Sequence, residues 1–149
     1  TADRIGEMGW HLVLHLDAAN IPDFESLFRS FRLPVVVDHM GRAPAQHGLD
    51  QAPFRILLDL LTTPNWWVKV SGSERISAQG PPFHDAIPFA RRLIEVAPDR
   101  TLWGTAWPHP NVRWEPDEAD LVDMLPQFGD EAALQRVLVD NPARLYGFP

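Results

Sequence analysis

The chain contains no cysteine. Disulfides, thiolate nucleophiles and cysteine-held zinc or iron–sulfur centres are thereby excluded, and the absence fits a cytoplasmic protein. No apolar run approaches the ~20 residues that span a bilayer. The first residues lack the basic-then-apolar layout of a signal peptide, so no membrane partner is expected. Clustered cations are missing too. The 13 Lys and Arg are scattered and outnumbered by 20 Asp and Glu, for a formal net charge of −7. Such a surface offers nothing for a phosphate backbone to grip, and no nucleic-acid partner is expected. There is no GxGxxG after a strand, no Walker sequence and no GxSxG elbow, which argues against nucleotide binding and serine hydrolysis. A His-x-His pair is also absent.

What is present is globular. Hydrophobic residues make up 45% of the 149 and charged residues 22%, enough for one ordinary domain with a sizeable core. The opening Thr-Ala-Asp-Arg-Ile-Gly-Glu has no initiator Met. It reads as the tail of a helix capped by Gly9, which predicts a start in mid-fold.

Apolar runs then alternate with helical patterns. Strands are predicted at Trp10–Leu16, Val35–Val37, Trp66–Val70 and Arg100–Trp103. Helices are predicted at Pro22–Phe31, with Asn20 and Pro22 helping to open it, and at Gln51–Leu61 and His84–Val96. Two more follow at Ala119–Leu125 and Glu131–Val139. Long loops are expected over Ser71–Phe83 and Thr105–Glu118, and the tail Asp140–Phe148 closes the chain. Alternation of this kind predicts parallel strands joined by right-handed crossovers. Four strands make half of a (β/α)₈ barrel, which usually needs about 250 residues. A small open sheet is the alternative at this length. No repeat or linker divides residues 1–149, which read as a single unit.

Three strands end in polar residues: Val37-Asp38-His39-Met40-Gly41, Val70-Ser71-Gly72-Ser73-Glu74-Arg75 and Trp103-Gly104-Thr105-Ala106. Catalytic groups of parallel barrels come from such strand ends. His39, after three valines, suits a metal ligand, a general acid or base, or a group that polarises a carbonyl. Asp38, one residue earlier, should face the other way and play a structural part. Arg75 offers a fork that matches a carboxylate, with pairing to Glu74 as the structural alternative. His15 ends the first strand in phase with Val13 and could donate to a substrate, while His11 lies near the other end. His109 and Arg113 sit in the following loop, where Trp107 could wall a pocket. Trp66 and Trp67 must face opposite sides. The acidic residues Glu115, Asp117, Glu118, Asp120 and Asp123 read as a solvated helix start rather than a metal site.

Taken together, Val37-Asp38-His39-Met40-Gly41-Arg42, Ser73-Glu74-Arg75-Ile76-Ser77, Trp103-Gly104-Thr105-Ala106-Trp107-Pro108-His109-Pro110 and Asp140-Asn141-Pro142-Ala143-Arg144-Leu145-Tyr146 resemble the amidohydrolase superfamily. Within it the chain is most similar to the 2-pyrone-4,6-dicarboxylate lactonase group. The resemblance covers the whole chain but only the C-terminal half of the family's barrel, so the strands would be the fifth to eighth. It implies hydrolysis of a lactone or ester in a small polycarboxylate, as in the degradation of aromatic compounds. In that pattern His39 matches the strand-end His and Arg75 a carboxylate-binding Arg. His15 falls where the lactonases have Tyr. Ala106 stands where the family has its general-base Asp. A methyl group takes no proton from water, so the resemblance predicts an inactive chain, through an engineered substitution or a natural loss. It implies no required cofactor. A divalent metal such as zinc is compatible with an intact barrel, but His39 alone supplies too few ligands. The competing expectation is a non-catalytic protein that binds an anionic small molecule through Arg75, His39 and His15. A half barrel would expose two unpaired sheet edges, which predicts self-association.

Overall fold

A computed structural model of the chain describes residues 2–148. Helix α1 (Ala2–Glu7) comes first, and Gly9 ends its turn with φ of 72°. Four parallel strands follow in spatial order β1-β2-β3-β4: β1 (Leu12–Leu14), β2 (Val35–Val37), β3 (Trp66–Lys69) and β4 (Thr101–Leu102). Between them run α2 (Ile21–Phe28), α3 (Ala52–Leu60), α4 (Ser73–Ile76) and α5 (Ile87–Val96). After β4 come α6 (Glu118–Asp123), α7 (Glu131–Gln135) and α8 (Asn141–Tyr146). Strand order that follows chain order, with a helix in every crossover, is barrel topology rather than the reversed order of an open doubly wound sheet.

Alternation along each strand splits the core in two. Toward the helices, Trp66 packs edge-on to Phe28 with centroids 5.8 Å apart, and Phe54 meets Phe89 at 4.8 Å. On the other face Val36, Trp67 and Leu102 form a second cluster with Leu145. The two tryptophans thus face opposite sides, as adjacent strand residues must. Fully burying one such side chain stabilises the fold by roughly 1.5–3 kcal/mol.

Several boundaries differ from those the sequence predicts. Strand β1 is shorter at both ends, because it lies at the sheet edge: Trp10 is 61% exposed and pairing with β2 stops at Leu14–Val37. Asn20 makes no side-chain cap on α2, and Pro22 alone supports that start. The expected loop after β3 contains α4, started by Gly72 in left-handed conformation and held by Arg75 N–H to the Gly72 carbonyl at 2.9 Å. Its Ile76 is buried, which is why four residues suffice. The expected helix over 131–139 is α7 followed by a wide turn, Arg136–Asp140, with i→i+5 bonding.

The tail forms α8, closed by Gly147 at φ of 74°. Its Asn141 is buried and donates to the carbonyls of Pro98 at 2.9 Å and Thr101 at 2.8 Å. Arg144 stacks its guanidinium 5.0 Å above the Trp67 ring. The Asn-Pro-Ala-Arg motif therefore fastens the last helix to β4. Among the described residues, no helix is long and apolar enough to cross a membrane.

Candidate functional site

Register places the site. Leu14 pairs with Val37, and Val37 pairs with Val68. One step further along, His15, Asp38 and Lys69 stand abreast on three neighbouring strands. All three have the phase of Val36 and Trp67, the face away from the helices. A pocket of about 490 Å³ opens there. It is lined by His15, Asp38 and Lys69 with His39, Ser71 and Arg75, and by Gly104, Ala106 and Trp107 from the loop after β4.

This corrects the expectation for Asp38. Asp38 keeps the pocket-facing phase of Val36, and alternation breaks immediately after it. His39 reaches the same space through a change of backbone. His39, Met40, Gly41 and Arg42 all take positive φ, between 50° and 65°. A left-handed residue with a side chain costs roughly 1–2 kcal/mol. Four left-handed residues in a row, three of them with side chains, form a strained turn, held by the fully buried Met40 and a bond from Gly41 N–H to the Asp38 carbonyl at 3.1 Å.

Asp38 Oδ1 meets Lys69 Nζ at 2.8 Å. His39 Nδ1 lies 3.0 Å from Ser71 Oγ, and its ring meets the His15 ring edge-on with centroids 5.1 Å apart. Burial pushes the His39 imidazole down to about 4. Asp38 opposes that shift, while Arg75, His15 and Lys69 reinforce it. His39 is thus neutral at neutral pH. In the tautomer in which Ser71 donates to Nδ1, the proton sits on Nε2 and can polarise a carbonyl.

Arg75 pairs with Glu74, the structural alternative, and also lines the pocket. Its side chain is almost buried, with Nε 3.5 Å from Glu74 Oε1, Nη1 donating to the Pro110 carbonyl at 3.2 Å, and the guanidinium on the pocket wall. His15 is exposed at the pocket rim and lies 3.5 Å from Arg42 Nη1. Ala106 lines the pocket with φ of 72°. Arg113 is exposed and stacked on Trp114 at 4.4 Å, outside the pocket residues. His11 packs against Tyr146, away from the site.

His109 is buried behind the pocket, with Nδ1 3.2 Å from Glu74 Oε1 and Nε2 2.8 Å from Glu118 Oε1. Glu118, its side chain 43% exposed at the start of α6, is thus a partner of His109 as well as part of the solvated helix start. Asp117 keeps the expected part, accepting from Ala119 N–H at the start of α6.

Sequence reasoning passed over Lys69. Its signal was available: a charge in a buried strand, in phase with Trp67 on the inner face. Ser71, named at the end of the third strand, does line the pocket.

His15, Asp38 and His39 offer ligand atoms all within 4.8 Å of one another. Two imidazoles and a carboxylate are donors of the type zinc takes. Asp38 is already engaged through Oδ1 with the Lys69 ammonium at 2.8 Å.

Comparison with known proteins agrees with this geometry. An amidohydrolase family model matches residues 1–148. The chain is 44% identical to a 2-pyrone-4,6-dicarboxylate hydrolase of Comamonas testosteroni, covering 97% of this chain and 51% of that protein. It is 40% identical to a 4-sulfomuconolactone hydrolase of Hydrogenophaga intermedia, over 95% of this chain and 48% of that one. A crystal structure from Agrobacterium tumefaciens superposes with a TM-score of 0.85 at 31% identity, covering 99% of this chain and 54% of the other. The chain spans about half the length of these relatives, and its four strands correspond to half of a TIM barrel. With the family model running nearly end to end over a parallel barrel half whose strand tips share one polar pocket, this chain belongs to the amidohydrolase family.

Proposed function

We propose that this chain carries the C-terminal half-site of a hydrolase acting on the lactone of a small polycarboxylate, with its general base missing. The observation that carries the reading is the shared pocket. Two cations, Lys69 and Arg75, and a neutral His39 line the same pocket of about 490 Å³ as Ala106. The cations suit the carboxylates of the ligand. His39 suits the lactone carbonyl, where an N–H bond helps as charge builds on oxygen. Named relatives that act on lactones support the same class.

In lactone hydrolysis water adds to the carbonyl, the ring C–O bond breaks, and a base must take a proton from the water. Position 106 is where that base belongs, and a methyl group there leaves the step unassisted. General-base assistance typically contributes 10²–10⁴-fold. No metal is required in this scheme, because Lys69, Arg75 and His39 supply the polarising groups.

Ala106 also favours a second reading, a protein that binds a carboxylate ligand without turning it over. Titration calorimetry with 2-pyrone-4,6-dicarboxylate, followed by ultraviolet assay of ring opening, separates the two. The hydrolase reading expects binding by the chain and new turnover in Ala106→Asp. Binding with no turnover in either favours the second reading. No binding in either removes both.

A further inference from the structure

His109 is the one imidazole with carboxylate oxygens at both ring nitrogens among the described residues. Glu74 Oε1 lies 3.2 Å from Nδ1, and Glu118 Oε1 lies 2.8 Å from Nε2. A neutral imidazole has one N–H and one lone pair. It can donate to only one of these oxygens and must turn its lone pair on the other. The imidazolium donates to both. The Glu74 side chain is fully buried, and the His109 side chain is 5% exposed. Leaving that lone-pair contact in so dry a place is expensive.

The three residues come from three separate segments. Glu74 is in α4, beside Arg75. Glu118 opens α6. His109 belongs to the loop that carries Ala106, Trp107, Pro108 and Pro110 along the pocket wall. Arg75 grips the same loop, since its Nη1 donates to the Pro110 carbonyl. Glu74 Oε1 thus receives His109 and approaches Arg75 Nε at 3.5 Å, so one buried carboxylate holds both the loop and the pocket cation.

We propose that His109 is a positioning residue: as an imidazolium bridging Glu74 and Glu118, it locks the loop bearing position 106 against Arg75 and so fixes the carboxylate-binding wall of the pocket. The charged groups that face it are Glu74 and, one residue on, Arg75 from α4, and Glu118 from α6. Burial works against the charged ring, but the hydrogen bonds from Glu118 and Glu74 outweigh it and raise the His109 pKa. When the proton leaves, one of the two bonds is lost, the loop loosens, and ligand affinity falls. The affinity part rests on the carboxylate-binding function proposed above. The clamp itself does not.

The test uses the whole chain. Nitrogen-15 NMR of His109 at about pH 6.5, where a free imidazole is half neutral, should show both ring nitrogens mostly protonated. A neutral tautomer there overturns the proposal. Amide exchange over residues 104–112, corrected for intrinsic rates, should lose protection as pH rises through the His109 pKa. Glu118→Gln, a mild change at a partly exposed side chain, should move that midpoint to lower pH while the fold persists by circular dichroism. A midpoint that does not move, or a flat profile, overturns the clamp. The Kd for 2-pyrone-4,6-dicarboxylate should rise about tenfold across the same midpoint in the wild type and across the shifted one in Glu118→Gln. Affinity that is independent of this midpoint overturns the positioning role. Absence of any binding, with the NMR and exchange results as expected, removes the ligand reading and leaves the clamp standing.

Discussion

Gly72 lies directly beneath His39. A Cβ placed on Gly72 would come within 2.8 Å of His39 Cβ and 3.1 Å of its Nδ1, and the backbone there has φ of 72°. The start of α4 and the orientation of the pocket imidazole therefore depend on one missing methyl group. Gly72→Ala should incur both the left-handed penalty and the steric one, together roughly 2–4 kcal/mol of stability. It should also tilt the ring away from Ser71. Urea denaturation measures the first effect, and loss of the His39 NMR signature measures the second. A variant of wild-type stability with an unmoved imidazole would show that the turn relaxes to make room.

His39 makes stability depend on pH in a defined direction. Its folded pKa is about 4, against 6.5 for a free imidazole. As pH falls below 6.5 the unfolded chain takes up a proton that the folded chain refuses. Stability is fully present above 6.5 and declines as pH falls toward 4. His109 runs the other way, because its pKa is raised. Its contribution is complete below 6.5 and is lost as pH rises through the folded value. Denaturation at pH 5, 6 and 7.5 should show His39→Gln flattening the acid side alone. An acid slope unchanged in that variant would assign the effect to other groups.

Lys69 should matter twice. It neutralises Asp38 at 2.8 Å and helps hold down the His39 pKa. Lys69→Met keeps the stem that packs in the strand and removes the ammonium. Without it one of the charges that hold the His39 pKa down is gone, so the imidazole pKa should rise, while burial, Arg75 and His15 still keep it below its ordinary value. Loss of a charged hydrogen bond to a ligand carboxylate, worth about 1.5–3 kcal/mol, should weaken binding roughly 10- to 100-fold. NMR titration and calorimetry read the two effects separately. If the His39 pKa moves but affinity does not, Lys69 serves the histidine and not the ligand.

The sequence made much of this legible, and the exceptions share a cause. Val35–Val37 was readable residue by residue because a β-branched run between turns has few other uses. The pocket membership of His15, His39, Arg75 and Ala106 followed from strand ends and from the family pattern. Asp38 was misplaced because alternation holds only while φ stays extended, and nothing local in Asp-His-Met-Gly announces four left-handed residues. Glu118 was grouped with its acidic neighbours because its partner, His109, is brought to it by the fold of the loop between them. Helix α4 was hidden in a stretch rich in Gly, Ser and Pro. Its reason for existing, a buried Glu74 holding His109 and Arg75, is tertiary.

Position 106 separates geometry from chemistry. Ala106 has φ of 72°, a conformation that alanine adopts reluctantly and that Asp and Asn adopt several-fold more often. Ala106→Asp and Ala106→Asn should therefore both fold at least as stably as the wild type, by thermal denaturation. Only the carboxylate can take a proton from water. Ala106→Asp should open the lactone of 2-pyrone-4,6-dicarboxylate at least about 10²-fold faster than the wild type, and Ala106→Asn should not. Equal rates in the two variants would mean that any gain comes from backbone relief or polarity. In that case the residue at 106 would be no base, and turnover would have to be sought elsewhere in the pocket.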